Sequence, residues 1–141
     1  RYLFITLFSI HVDIKQLEAI LEESWTKETS EDPENWTKEN PAYGQCAVTA
    51  LVVHDYFGGR LLWAPAKLPD GREIPHYFNE TATSEIIDLT KAQFPEGTII
   101  PEGNDKKKNF PSTRDFVLSH PLTVQRYNCL KEKIQGTLSQ S

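Results

Sequence analysis

Apolar and polar residues along this chain alternate with three different rhythms. From Val12 to about Glu23, the apolar residues Val12, Ile14, Leu17, Ile20 and Leu21 recur at mostly helical spacing between charges, which predicts an amphipathic helix. A second helix is predicted from about Gln45 to Phe57 and stops at Gly58-Gly59. Ala47, Val48, Ala50, Leu51, Val52, Val53, Tyr56 and Phe57 leave it almost no polar surface, so it should be buried on most sides. Next come three short segments with strand character, RLLWAPA, IPHYFN and EIIDLT, separated by the turn LPDGRE and the polar link ETATS.

A Pro- and Gly-rich stretch, FPEGTIIPEGNDKKKNFP, reads as a loop. Ser112 or Thr113 can cap RDFVLS, and Pro121 can begin a longer helix through Leu138. The order is helix, buried helix, about three antiparallel strands, then helices. Such runs of unlike elements predict an α+β domain, with a buried helix on a small antiparallel sheet and extra helices at both ends. The fragment WTKE occurs twice, at Trp25 and Trp36, too short a match to define a repeat.

Residues 1–141 suit a single domain with one adequate core. The first eleven residues, RYLFITLFSIH, are apolar but too short to span a bilayer; an appended segment, an added strand or a packed arm all fit. The net charge of -5, from 20 acidic and 15 basic residues, argues against nucleic acid as a partner, and Lys106-Lys107-Lys108 reads as a solvated loop. Two cysteines without a CxxC pair make no disulfide framework, so a reducing, cytoplasmic setting without membrane or cofactor is expected.

The candidate chemistry begins at Cys46, in the first turn of the buried helix. There, unpaired N–H groups and the positive dipole end favour a thiolate. A free cysteine is often plain core, so the rest of the set decides. Pairing IPHYFN with EIIDLT about the centre of ETATS sets Phe78 opposite Ile86, Tyr77 opposite Ile87 and His76 opposite Asp88. Opposed residues have Cβ atoms about 4.5–5.5 Å apart, which suits an imidazole bonded to a carboxylate. His76 and Asp88 would share a face with Phe78 and Ile86, the face expected to meet the buried helix.

Gln45 or the helix-start N–H groups are candidates to donate to an oxyanion. Trp36, Tyr43, Trp63 and Tyr77 are candidate pocket walls. Arg114 and Arg126 are candidate carboxylate holders, although paired helix arginines are commoner. His54 lies too far along the helix to act on Cys46, His11 lies in the N-terminal run, and His120 is expected at solvent. Cys129 reads as half-buried packing. Cys46, His76 and Asp88 lack the paired spacing of a zinc site, so no metal is expected.

The segments YGQCAVTALVVHDYFGG, HYFN, IIDLTKAQF and PSTRDFVLSHPLTVQRYNCL resemble the YunG-like family of small uncharacterised bacterial proteins. That resemblance implies a papain-like cysteine-hydrolase core. YGQC is also similar to the active-site segment of transglutaminases, although Ala47 stands where those enzymes carry an aromatic residue. By resemblance, Cys46 matches the nucleophile, His76 the base and Asp88 the orienting acid. The expectation is a cysteine-dependent hydrolase or acyltransferase acting on a small-molecule or peptide amide, ester or thioester. The competing reading is a non-catalytic binding or regulatory module on the same scaffold.

Overall fold

The computed structural model describes residues 12–140, so the N-terminal run and His11 lie outside the described residues. Helix α1 spans Ile14–Ser24. Asp13 starts it with a capping box: its carboxylate accepts the Gln16 N–H and the Gln16 side chain accepts the Asp13 N–H, both at 2.8 Å. This cap explains why the helix begins two residues later than the apolar spacing suggests. Leu17 and Leu21, one turn apart on the inner face, are fully buried.

Helix α2, Cys46–Phe57, is the central element. Val48 and Ala50 to Val53 are buried, while Tyr56 and Phe57, expected inside, are half-buried where the last turn leaves the core. Gly58 ends it at φ 69°, its N–H bonding the His54 carbonyl at 2.9 Å. Two further helices, α3 at Thr113–Leu118 and α4 at Pro121–Ser139, close the domain. Ser112 caps α3 by accepting the Asp115 N–H, and Pro121 opens α4, where its missing N–H costs nothing. Tyr127, Leu130 and Ile134 of α4 join the core formed with α1 and α2.

The sheet has the order β1-β2-β3, with β1 at Arg60–Lys67, β2 at Glu73–Glu80 and β3 at Ile86–Ile87. All pairs are antiparallel, which gives an α+β architecture. The third strand is much shorter than EIIDLT: after Ile87 the chain turns, and Lys91–Gln93 forms a 3-10 helix. The β2–β3 register also differs from the expected one. Glu80 pairs Ile86 and Asn79 pairs Ile87, so Asp88 is not directly opposite His76.

The cause is the link. Thr81 N–H bonds the Glu85 carbonyl at 2.8 Å, which closes a loop over residues 82–84 with Ser84 left-handed at φ 67°. The Thr81 hydroxyl also accepts the Glu85 N–H at 3.0 Å. The hairpin centre therefore sits one residue later than the middle of ETATS. Moving the centre by one residue shifts each partner by two, and the period of two keeps every side chain on its face.

The two faces of the sheet meet different covers. Leu61, Tyr77 and Ile87 pack with the helical core, and the Asn79 amide donates to the Ala50 carbonyl of α2 at 2.9 Å. Leu62, Ala64 and Phe78 form a separate cluster on the other face, with Ile100 packed on it. His76 pairs with Ala64 and so belongs to that second face. This corrects the expectation that the His76–Phe78 face meets the buried helix: the helix takes the face of Tyr77 and Asn79. The predicted loop covers the second face and runs along β1, where antiparallel bridges join Trp63 to Asn104 and Lys67 to Ile99. Among the described residues, no helix is long and apolar enough to cross a membrane.

Candidate active site

Cys46 is the first residue of α2 and is 9% exposed. The approach to it is built by Gly44, whose φ of 73° suits glycine. A Cβ there would also lie 2.3 Å from the Ser30 hydroxyl and 3.0 Å from the Glu31 nitrogen. The Gly44 carbonyl accepts the Glu31 N–H at 2.9 Å, so the segment around Glu31 is bound to the lead-in.

Gln45 is fully buried, and both ends of its amide are engaged. Its oxygen accepts from the Thr29 hydroxyl at 2.8 Å, and its nitrogen donates to the Thr26 carbonyl at 3.0 Å. The expected oxyanion role of the Gln45 side chain is therefore corrected to an anchoring one. No side chain caps α2, so its first-turn N–H groups remain as the donors at this end.

His76 is fully buried on β2. Its Nε2 lies 2.7 Å from Asp88 Oδ2, and the other carboxylate oxygen accepts the Thr90 N–H at 3.3 Å. The ring packs against Phe78 at 5.5 Å and edge-on against Phe94 at 5.0 Å between centroids. Nδ1 is buried without a hydrogen-bond partner of good geometry, which leaves it as the nitrogen available to the thiol.

Burial is the largest single influence on His76 and favours its neutral form. The Asp88 hydrogen bond, followed by the interaction with Cys46, more than offsets it and raises the pKa from 6.5 to about 9. Tyr77, the next residue, is pushed up to about 12, first by burial and then by the charge of Cys46. Since β3 pairs only Asn79 and Glu80, β2 has no strand neighbour on that side at His76 and Tyr77. Consecutive side chains of opposite faces both feel the thiol there.

The other candidate walls are more dispersed. The Tyr43 hydroxyl donates to Asp32 Oδ2 at 2.8 Å, a bond that raises its pKa. Trp36 donates to the Pro41 carbonyl at 2.9 Å within its own turn. Trp63 pairs with Tyr77 across the sheet and lies beneath Lys106, whose Nζ is 3.7 Å from the ring centroid. Arg114 is taken by Asp55 at 2.9 Å and by His54 Nδ1 at 2.9 Å, which removes it as a carboxylate holder and makes it a brace for the end of α2. Arg126, half-buried on α4, lines a small cavity with Glu31 and Ala47.

Phe94 could not be found from sequence, because nothing in a Pro-rich loop marks an aromatic that turns inward, and Thr90, at the end of the segment predicted as a strand, instead turns its N–H back to Asp88. Among the described residues, no group of three His, Cys, Asp or Glu side chains converges to hold a metal ion. A cavity of about 480 Å³ opens on the second face of the sheet and reaches Asp88, behind the imidazole rather than at the thiol.

Comparison with known proteins adds the lineage. Uncharacterized protein YunG of Bacillus subtilis (strain 168) is 35% identical over 81 residues, covering 57% of this chain and 63% of that protein. The chain's match thus spans somewhat less than two thirds of the relative's length. No solved structure matches. The family model described as YunG protein matches residues 13–139, and the chain therefore belongs to the YunG family.

Proposed function

We propose that this chain is a cysteine-dependent acyl-transfer enzyme, a hydrolase or acyltransferase, on a papain-like core. The observation that carries the reading is the buried His76 ring, held through Nε2 by Asp88 at 2.7 Å, with Nδ1 unpartnered and the helix-start Cys46 close enough to raise the ring's pKa. A buried imidazole–carboxylate pair is costly to assemble without a task, and nucleophile, base and orienting acid within reach of each other define one.

In the first half-reaction, His76 Nδ1 takes the thiol proton and Cys46 Sγ attacks an amide, ester or thioester carbonyl. The oxyanion points at the free N–H groups of the α2 first turn, where the helix dipole adds to the stabilisation. Collapse breaks the bond to the leaving group, which takes the proton from His76, and leaves a thioester on Cys46. Water or an amine then attacks the thioester, giving its proton to His76, and the thiol is released. Asp88 holds the ring orientation and stabilises the imidazolium in both halves.

The test uses p-nitrophenyl acetate on the whole chain, with peptide mass spectrometry of the product. Acetylated Cys46 with a burst of nitrophenolate is expected, and the Cys46→Ala protein should give neither. Equal nitrophenolate release from folded Cys46→Ala, or acetyl groups on Cys129 or lysines alone, overturns the reading.

A further inference from the structure

The cavity on the second face has a role that acyl transfer at Cys46 leaves unfilled. Its volume, about 480 Å³, lies within the range of small-molecule sites. Ile86 from β3 and Ile100 from the covering loop supply its open apolar surface, above Leu62 and Phe78, which are buried in the wall. The loop wall is pinned by backbone. Asn104 exchanges two hydrogen bonds of 2.8 Å with Trp63. A Cβ on Gly103 would come within 2.7 Å of both Leu62 and Phe78, so only glycine lets the wall approach this closely.

The charges around this surface are of two kinds. Arg60 and Glu80 pair at 2.8 Å, and Asp88 holds His76 at 2.7 Å. Lys91 and Glu102 also line the cavity but have no ionic partner among the described residues. One unpaired ammonium, one unpaired carboxylate and an apolar floor complement a zwitterion with an apolar body. An amino acid leaves much of the space unfilled, whereas a dipeptide with two apolar side chains suits it better.

We infer that this cavity binds an apolar dipeptide-like zwitterion, with its carboxylate at Lys91, its ammonium at Glu102 and its side chains on Ile86 and Ile100. This binding does not rest on the acyl-transfer reading.

Isothermal titration of the whole chain with the dipeptide Leu-Phe tests it, beside N-acetyl-Leu-Phe and Leu-Phe amide. Saturable single-site binding of the free dipeptide is expected. Blocking either end should weaken it about tenfold, the effect of removing one charge-assisted hydrogen bond. Glu102→Gln should weaken the free dipeptide and no longer distinguish it from the acetylated form. Lys91→Gln should do the same for the amide. Cys46→Ser should bind like the unaltered chain. Absence of saturable heat, equal affinity for all three peptides, or binding abolished in Cys46→Ser but kept in Glu102→Gln each overturns the inference. The last outcome would place the peptide at the thiol, leaving the acyl-transfer reading intact and removing this one.

Discussion

The two faces of the sheet are made from the same strands and have opposite characters. The helix side is thick: Leu17, Leu21, Leu51 and Leu130, from three helices, are each fully buried in one core. The loop side is thin, with Leu62, Ala64 and Phe78 as its buried apolar residues and a loop bridged to β1 at two positions as its cover. The titrating group, His76, belongs to the thin side, and the thiol stands at the end of the helix that forms the thick one. A dense core fixes the thiol's position. A lightly covered face leaves room for a cavity and for a carboxylate that is partly open to solvent.

The sharpest way to break this comparison is at the junction of the faces. Cys46→Ala should abolish acyl-adduct formation, since no other nucleophilic side chain among the described residues stands beside His76 Nδ1. His76→Ala should cost nearly as much, because such groups act as a unit. On the proposed acyl-transfer reading, Asp88→Asn should reduce turnover by roughly a hundredfold or more, since it removes the carboxylate that holds the His76 ring. Turnover within about twofold of the unaltered chain would reduce Asp88 to a structural partner.

The same pair has a pH signature. The folded pKa of His76 is raised to about 9 from 6.5, so its stabilising contribution is complete below 6.5 and is lost as pH rises through about 9. The stability gap between the unaltered chain and Asp88→Asn should therefore narrow on the alkaline side in denaturant titrations. A gap constant across that range would separate the imidazolium from the carboxylate.

Core substitutions compare the faces directly. Leu51→Ala on the helix side should cost about 2–5 kcal/mol, because the packed surroundings relax little around the cavity. Leu62→Ala on the loop side should fall near or below the lower end, about 2 kcal/mol, since an existing cavity lets the site adjust. Equal costs by urea unfolding would mean that the loop packs as densely as the helices. Gly103→Ala should cost about 1–3 kcal/mol through overpacking against Leu62 and Phe78, and should reduce the cavity. Cys129→Ser on half-buried α4 should stay within about 0.5 kcal/mol and leave turnover intact.

Much of the element layout was legible in the chain. The Gly58-Gly59 stop, the Pro121 start and the apolar run of α2 each act through neighbouring residues, so local pattern finds them. His76 and Asp88 do come within hydrogen-bond distance, though by a route different from the expected opposition. The hairpin turns about Thr83 because Thr81 closes on Glu85 and Ser84 accepts a left-handed backbone, a choice that the stretch ETATS does not announce. The two-residue shift changes His76 and Asp88 from opposed to diagonal neighbours, still on one face. Gln45 shows the opposite case: its place before Cys46 suggested a donor to substrate, and only its hydrogen bonds with Thr26 and Thr29 reveal an anchor.

By itself, the sequence determined that α2 is a buried helix with a cysteine at its start, that His76 and Asp88 lie on adjoining segments of one hairpin, and that helices flank a small sheet. These follow from periodicity, caps and breakers, which act over a few residues. The tertiary structure decided which face of the sheet the helix takes, that a loop covers the other, and that Phe94 closes over the imidazole. Strand alternation marks two faces but cannot say which cover each receives, because that depends on the volume and shape of segments distant in sequence.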